Sequence, residues 1–237
     1  MTATPLQPGR YAVLDFETTA LEPGPLGRVL EIGVVELRAV ANPFGSLDFT
    51  RVETWETLVR PGGGVGVGPT EIHGIQPANI IAAPRFDDVA GDLLSRLDRA
   101  VVVAHNAQFD LGFLASECAF AGIDLPPLAA VCTRDLARGI AAEAREEPGS
   151  FRLAACCERA GIDFPEATQH RSLGDVEVTA QLFVHLMARA DALGLTIRTT
   201  TPPAALEFPP PSGKQAARAP LPTRLELPFD VSDSFGR

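Results

Sequence analysis

The 237-residue chain is 46% hydrophobic and 21% charged, a composition typical of soluble globular proteins. Its longest apolar runs, such as VVVA at 101–104, are too short to cross a bilayer, and its N-terminus shows no secretory signal. The net charge of −10 argues against a protein that coats nucleic acid, but not against an enzyme that holds a strand end through metal ions. The four cysteines lack a CxxC spacing, so we predict reduced thiols in a cytoplasmic protein without a membrane partner.

Strands dominate the first part of the chain, and strand–helix alternation follows. Apolar runs and alternating patterns predict strands over 11–16, 28–39, 51–59, 100–104 and 129–132, with a turn segment over 41–50. Helical patterns predict helices over 86–99 and 107–121, one beginning near Arg134, and two over 151–160 and 173–192. This order predicts an α/β fold, a mixed β-sheet flanked by helices.

Two segments lie outside this pattern. The glycine-rich segment 61–69 predicts a mobile loop, and it lacks the GxxxxGK pattern of a phosphate-binding loop. After Thr199 the chain is rich in proline and small residues and cannot bury a core. We therefore predict a single domain over 10–195, an N-terminal extension over 1–9 and a disordered, proline-rich tail over 196–237.

Two carboxylates end the first predicted strand, in the segment YAVLDFETTAL at 11–21. Asp15 and Glu17 leave the strand on the same face, because side chains alternate with a period of two. If both are buried, they repel each other and lose hydration, so they need a compensating cation. The alternative is that the strand stops there and both acids face water. The segment alone favours neither interpretation.

Two later segments add two acids and a histidine. In VVVAHNAQFDLGFL, Asp110 lies in the first turns of a helix, where it either serves a site or only favours the helix dipole. In HRSLGDVEVTAQLF, His170 precedes Asp175 by five residues, and Asp175 opens an amphipathic helix. Taken alone, a histidine near an aspartate is more often structural than catalytic.

Together, these segments resemble the DEDDh family of 3′–5′ exonucleases, which includes the proofreading epsilon subunit of the bacterial replicative DNA polymerase. The segments DFETT, HNAQFD and HRSLGD match the three family motifs in the family's order, accompanied by RVLEIGVVEL, IHGI and TRDLAR. The resemblance covers about residues 10–190. Ala20 stands where the family usually has glycine. The resemblance implies a ribonuclease H-like fold and exonuclease activity.

The same resemblance implies a metal site with a general base. Two divalent ions about 4 Å apart activate water and neutralise charge in phosphodiester hydrolysis, and Mg²⁺ and Mn²⁺ prefer carboxylate ligands. By this resemblance, Asp15 bridges both ions, Glu17 and Asp175 complete one site, and Asp110 supports the other. His170 is then the general base, because imidazole titrates near neutral pH.

The resemblance also assigns residues that bind the strand end: Thr18, Thr19, Leu21, His73, Asn106 and Phe109. Leu21 would wedge against the last base, and Phe109 would stack on a base. Ordinary core packing is an equal alternative for both side chains. We interpret His105 and His185 as structural.

These residues predict a metal-dependent 3′–5′ exonuclease that releases nucleoside monophosphates from the 3′ end of DNA, in repair or proofreading. Its expected partners are single-stranded DNA or 3′ ends, with RNA as a possible substrate. One alternative is an exoribonuclease that trims short RNA or transfer RNA ends. Another is an inactive scaffold that binds strand ends. This alternative is disfavoured because the chain retains all four acids and His170.

The predicted tail contains RLELPF at 224–229. This segment resembles the short peptides by which bacterial replication and repair enzymes bind the sliding clamp, of pattern Q-L-x-L-P-[LF]. Leu225, Leu227 and Phe229 would fill an apolar pocket of the clamp, whereas Arg224 stands where glutamine is preferred. The alternatives are an unstructured tail with incidental leucines and a segment that folds back on its own domain.

Overall fold

The computed structural model describes residues 4–147, 149–166 and 169–200. Its five strands form one mixed sheet in the order β3-β2-β1-β4-β5. They are β1 Gly9–Thr18, β2 Val29–Ala41, β3 Leu47–Leu58, β4 Ala100–Ala104 and β5 Ala129–Cys132. The first three strands form an antiparallel meander, and β4 and β5 run parallel to β1. The predicted α/β fold with a mixed sheet is confirmed.

Helices cover both faces of this sheet. They are α1 Thr70–His73, α2 Pro77–Ile80, α3 Phe86–Leu97, α4 Ala107–Ala121, α5 Thr133–Glu143, α6 Leu153–Ala160 and α7 Ser172–Ala192. The helices α3 to α7 lie where the sequence pattern predicts them. The pattern does not predict α1 and α2, because four residues are too few to display a helical period.

The hairpin between β2 and β3 is tighter than predicted. The turn was predicted over 41–50, but the two strands leave only residues 42–46 between them. Asn42 Oδ1 accepts hydrogen bonds from the backbone N–H groups of Phe44 and Ser46, both at 3.0 Å. This local bonding closes the turn. The predicted limits of the turn are therefore wrong, because the Asn42 side chain closes the turn within residues 42–46 and lets both strands extend further.

Alternate residues of β1 face two separate apolar cores. Tyr11 and Val13 pack with α5, α6 and α7, whereas Leu14 and Phe16 pack with α3 and α4. The Tyr11 ring lies 5.8 Å from the ring of Phe183 in α7, measured between centroids. Because strand side chains alternate, the odd-numbered residues at the end of β1 lie on the face that α7 covers.

The two ends of the described chain pair beside β5. The Leu6 N–H donates to the carbonyl oxygen of Ile197 at 3.1 Å, and Ala130 and Thr200 exchange backbone hydrogen bonds at 2.8 and 2.9 Å. The chain therefore stays attached to the sheet up to Thr200. The domain limits at residues 10 and 195 stay a prediction, and most of the predicted tail lies outside the described residues.

The four cysteines are free thiols, and three of them are buried. Burial raises the pKa of Cys118 and of Cys157 to about 12, so these thiols stay protonated and serve packing. In the described ranges, no helix has the length and apolar character needed to cross a membrane.

Candidate active site

The carboxyl end of β1 carries two acids on one face. Asp15 and Glu17 lie on the side that α7 covers, and Glu17 faces Glu31 of β2 in the strand register. The register shifts between Glu17 and Thr18, so the chain leaves regular pairing directly after the acids. Because β1 and β4 are parallel neighbours, the segment that follows β4 begins at the same edge of the sheet.

Asp110 reaches this edge from the first turn of α4 and is 3% exposed. Its Oδ1 accepts a hydrogen bond from the backbone N–H of Phe16 at 3.1 Å. Phe16 lies between Asp15 and Glu17 in the chain. This bond therefore fixes the Asp110 carboxylate beside the acidic end of β1.

Asp175 and His170 approach from the start of α7. The Asp175 Oδ1 accepts a hydrogen bond from the backbone N–H of His170 at 3.1 Å. His170 is exposed and has a φ of 59°, a left-handed conformation that is costly for a residue other than glycine. Glu17, His170 and Asp175 each offer a ligand atom, and these three atoms lie within 4.8 Å of one another.

A glycine in β2 permits this close approach of α7. Gly33 lies opposite Asp15 in the strand register, and a Cβ atom at Gly33 would lie only 2.6 Å from the carbonyl oxygen of Ser172. Only a residue without a side chain at position 33 allows the start of α7 to lie this close to the sheet. Gly33 thus helps to set the distance between Asp175 and the acids of β1.

Burial and mutual repulsion favour protonation of these acids in the metal-free protein. Loss of hydration, reinforced by the neighbouring carboxylates, raises the pKa of Asp15 well above its usual value. Burial is also the largest cause that raises the pKa of Glu17 to about 8 and those of Asp110 and Asp175 to about 7. Shifts of this kind cluster at functional sites.

The donor set fits hard divalent cations. Asp15, Glu17, Asp110 and Asp175 offer carboxylate oxygens, which Mg²⁺ and Mn²⁺ prefer as ligands. A bound cation would also offset the repulsion that raises the pKa values of these acids. Three elements, β1, α4 and α7, thus bring the predicted metal ligands together. The number of ions and the choice between Mg²⁺ and Mn²⁺ stay predictions.

Sequence reasoning missed a further acid beside the site, the buried Glu31, and its partner Arg171. Arg171 Nη2 and Nε donate to the two Glu31 carboxylate oxygens at 2.6 and 3.1 Å. Glu31 is 2% exposed and faces Glu17 across the strand pair. The available signal was the acid inside the apolar run RVLEIGVV, since a charge in a buried strand needs a partner.

The loop after β1 carries three residues predicted to bind the strand end. The hydroxyl groups of Thr18 and Thr19 bond to backbone groups of this loop, so they maintain its shape. Leu21 is 55% exposed, which places its side chain outside the core. Contact of these residues with a nucleotide stays a prediction.

A buried ion pair connects this loop to α4. The Arg28 Nε and Nη2 atoms donate to the two Glu117 carboxylate oxygens at 2.8 and 2.7 Å, and Glu117 is 2% exposed. The backbone N–H of Arg28 also donates to the Thr19 hydroxyl at 2.9 Å. The pair thus holds the loop beside the helix that carries Asp110.

The glycine-rich segment ends against the same loop. A Cβ atom at Gly68 would lie 2.1 Å from the carbonyl oxygen of Thr19, and Val67 is buried. The His73 Nδ1 accepts the backbone N–H of Ile75 at 3.0 Å, so its Nε2–H donates to the carbonyl oxygen of Val67, also at 3.0 Å. His73 therefore anchors this segment, and its predicted contact with the terminal sugar or phosphate stays a prediction.

Asn106 and Phe109 flank the start of α4. The carbonyl oxygen of Asn106 accepts the backbone N–H of Phe109 at 2.8 Å. The Phe109 ring is partly buried and packs with its centroid 4.8 Å from that of Phe113. Phe109 therefore contributes to the core. Its stacking on a base, like the substrate contact of Asn106, stays a prediction.

His105 bonds to the fold through both ring nitrogens. Its Nδ1 lies 2.9 Å from the Thr133 hydroxyl, and its Nε2 lies 2.9 Å from the carbonyl oxygen of Phe151. Burial lowers the pKa of His105 to about 4, so the ring is neutral near neutral pH. These contacts agree with the structural role predicted for His105.

Comparison with known proteins decides the family. The exonuclease family model, RNase_T, matches residues 12–183, a range that holds all four carboxylates and His170. The chain belongs to this exonuclease family. The predicted resemblance to exonucleases is thereby confirmed.

The relatives of this chain include DNA polymerase III epsilon subunits. The epsilon subunit of Rickettsia conorii is 30% identical over 183 residues, 75% of this chain and 74% of that protein. The Escherichia coli K12 subunit is 26% identical over 202 residues, 81% of this chain and 77% of that protein. An epsilon-like protein of Rhodobacter capsulatus is 34% identical over 201 residues, 83% of this chain but 26% of that protein. The chain thus spans about a quarter of the length of the Rhodobacter protein.

Solved nuclease structures share the fold of this chain. The nuclease domain of 3′hExo, a DEDDh family member bound to rAMP, superposes with a TM-score of 0.62 at 18% identity, over 81% of this chain and 96% of that chain. Exonuclease X in complex with 5′ overhanging duplex DNA gives a TM-score of 0.53 at 25% identity, over 78% of this chain and 94% of that chain. The predicted ribonuclease H-like exonuclease fold is confirmed.

Replacing Gly33 with alanine should shift α7 relative to the sheet. The new Cβ atom would lie 2.6 Å from the Ser172 carbonyl oxygen, and such overpacking costs roughly 1–3 kcal/mol. We expect urea unfolding to show this loss, and nuclease turnover to fall because Asp175 moves with the helix. Gly91→Ala in α3 is the control, because a Cβ atom there meets nothing within 4 Å. Unchanged stability and turnover in Gly33→Ala would contradict the described packing.

The metal-free protein should lose stability as the pH rises from about 6.5 to about 8.5. The folded-state pKa values of Glu17, Asp110 and Asp175 lie at about 8, 7 and 7, above their ordinary values. The folded state therefore binds more protons than the unfolded state, and the free energy of unfolding falls as these protons leave. This window lies above the range in which His105 titrates. Urea unfolding in EDTA measures the trend, and a rise in stability over this range would contradict it.

Proposed function

We propose that this chain is a metal-dependent 3′–5′ exonuclease that acts on DNA ends and releases nucleoside monophosphates, in proofreading or repair. The observation that carries the proposal is that Asp110 and Asp175 approach the end of β1, which carries Asp15 and Glu17, beside the exposed His170. Relatives named as subunits of DNA polymerase III favour DNA over RNA as the substrate.

The carboxylates would hold the cations at the edge of the sheet. We infer that Asp15, Glu17, Asp110 and Asp175 would hold these cations, with Asp15 at the centre of the group. When bound, Mg²⁺ or Mn²⁺ would polarise the phosphate, lower the pKa of a bound water and stabilise the leaving oxygen. The acids supply the negative charge that makes this edge selective for such ions.

His170 would remove the proton from the attacking water. Its ring has a ligand atom within 4.8 Å of carboxylate oxygens of Glu17 and Asp175, so a water at this acidic edge lies within its reach. The water oxygen bonds to the terminal phosphorus as its proton passes to the imidazole. The bond from phosphorus to the 3′ oxygen of the preceding nucleotide breaks, and this oxygen takes up a proton from solvent water. The terminal nucleotide then leaves as a 5′-monophosphate, and the shortened strand keeps a 3′ hydroxyl.

The strand end would lie along the loop after β1. Leu21 is 55% exposed beside the acids, so its side chain is available to wedge against the last base. Thr18 and Thr19 would present backbone groups to the terminal nucleotide, because their hydroxyls already bond within the loop. The remaining proposed contacts to the sugar, phosphate and base come from His73, Asn106 and Phe109.

Digestion of end-labelled strands tests the proposal. Matched single-stranded DNA, duplex DNA and RNA of one sequence, labelled at either end, are incubated with Mg²⁺ or Mn²⁺. We expect a ladder of shortened products from 5′-labelled DNA, immediate loss of a 3′ label as mononucleotide, and reversible inhibition by EDTA. Faster digestion of RNA would assign the chain to exoribonucleases. Binding of ends without cleavage of any substrate would support an inactive scaffold.

The proposed partner of the tail is the sliding clamp. Leu225, Leu227 and Phe229 lie outside the described residues, and the support is the match of RLELPF to the clamp-binding pattern. A tethered clamp contact would raise the effective concentration of the nuclease at primer ends.

A peptide of residues 220–237 should bind the clamp from the same cell. A matched peptide with Leu227→Ala and Phe229→Ala should bind at least about tenfold more weakly, since it loses two apolar anchors. Titration monitored by fluorescence anisotropy compares the two peptides. Equal affinities, or no binding by either, would refute the clamp contact and leave the nuclease proposal intact.

The proposed location is the cytoplasm. Four free cysteines support it, because reduced thiols persist in reducing compartments. Fractionation of the source cell measures this directly.

A further inference from the structure

The turn that carries His170 is restrained from both of its ends. We propose that Arg171, through its ion pair with Glu31, is a positioning residue that keeps the His170 ring at the acidic edge of the sheet. This inference rests on the proposed function of His170 as the general base. It adds to that function two residues, Arg171 and Glu31, that act through His170.

His170 needs such restraint because of its own conformation. Its φ of 59° is unfavourable for a residue with a Cβ atom, and its side chain is exposed. A strained residue persists only when the surrounding contacts outweigh the strain. One restraint is the hydrogen bond from the His170 N–H to Asp175 Oδ1, at 3.1 Å. The other restraint must act on the following residues.

Glu31 supplies that second restraint. Its carboxylate accepts two hydrogen bonds from the Arg171 guanidinium, at 2.6 and 3.1 Å, and a third from the backbone N–H of Ser172, at 3.0 Å. Three donors on one buried carboxylate fix both the side chain of Arg171 and the backbone that follows it. The restraint therefore acts on the residue directly after His170.

Glu31, the residue that holds the turn, lies inside the sheet. Glu31 is 2% exposed in β2, between β1 and β3, and it faces Glu17 across the strand pair. Ser172 is fully buried and its carbonyl lies against Gly33. The turn is thus attached to β2, which pairs directly with the strand that carries Asp15 and Glu17. This connection sets where the base stands relative to the acids.

Arginine is specifically required for this contact. Its planar guanidinium offers two parallel donors to one carboxylate, whereas a lysine ammonium is a single point charge on a flexible stem. Arg171→Lys therefore keeps the charge that neutralises Glu31 but removes the forked geometry. This variant separates positioning from simple charge balance, and it avoids leaving a buried carboxylate unpaired.

A double-mutant cycle on turnover tests the coupling. In the wild-type background, Arg171→Lys should lower kcat about 10- to 100-fold, as expected for a misplaced catalytic group, with little change in KM. In the His170→Ala background, the same change should alter kcat by less than about twofold, because the group that it positions is gone. Arg51→Lys is the control: Arg51 pairs with Glu177 of α7 at 2.7 Å on the exposed surface. Equal losses from Arg171→Lys in both backgrounds would overturn the proposal.

Amide hydrogen exchange provides a readout that does not depend on nuclease activity. The His170 and Ser172 amides donate to Asp175 and Glu31, so we expect protection in the wild type and faster exchange in Arg171→Lys. Unchanged exchange in that variant would also overturn the proposal. If the wild type cleaves no strand, the proposed function fails, and exchange still decides whether Arg171 holds the turn.

Discussion

Asp15→Asn should lower nuclease turnover by at least about 10³-fold and yet stabilise the metal-free protein. The loss follows because Asp15 is the central proposed ligand of the cations, and metal ions supply several kcal/mol to such reactions. The gain follows because burial and neighbouring carboxylates raise the pKa of Asp15. Near neutral pH, folding must therefore bind a proton at this carboxyl group, and the neutral amide avoids that cost. Steady-state digestion and thermal unfolding in EDTA measure the two effects.

Metal titration completes this experiment. Mn²⁺ should raise the melting temperature of the wild type, since it binds the folded state, and should raise that of Asp15→Asn much less. Asp92→Asn changes an exposed acid of α3 and should leave both quantities unaltered. Wild-type turnover in purified Asp15→Asn would refute the assigned metal site.

His170→Ala should lower kcat by about 10²- to 10⁴-fold, the range expected for loss of a general base. KM should change little, because the ring acts in the transition state rather than in ground-state binding. Initial rates over a range of single-stranded DNA concentrations separate the two constants. His185→Ala provides a matched control, since His185 lies further along α7 and lines a groove beside α5 and α6.

A different outcome would reassign His170. Its ring lies near enough to Glu17 and Asp175 to share a cation with them. If His170→Ala chiefly weakens Mn²⁺ binding, measured by the shift in melting temperature, and kcat recovers at high Mn²⁺, then the ring is a metal ligand. If only KM rises, the ring binds substrate.

The grouping of the acids could be predicted from the sequence because each acid lies in a short segment at the end of a strand or the start of a helix. The alternation in YAVLDFETTAL put Asp15 and Glu17 on one face, and the structure confirms that placement. The order of strands and helices predicted the mixed sheet, because apolar periods distinguish the two kinds of element. The family motifs then assign Asp110 and Asp175 to the same site.

The supporting contacts were not predictable in this way, because they join residues far apart in the chain. Glu31 and Arg171 are 140 positions apart and meet only once α7 packs on β2. Gly33 appears in the sequence as an unremarkable glycine in a strand, although its missing side chain admits the backbone of Ser172. The Arg28–Glu117 pair likewise depends on how α4 lies against the loop after β1.

Hydrolysis of single-stranded DNA in ¹⁸O-labelled water tests the central claim most directly. A water attacks the terminal phosphorus in the proposed reaction, so mass spectrometry should find one ¹⁸O atom in the phosphate of each released nucleoside 5′-monophosphate. The shortened strand should end in an unlabelled 3′ hydroxyl. Nucleoside 3′-monophosphates, label on the remaining strand, or release from the 5′ end would contradict the account.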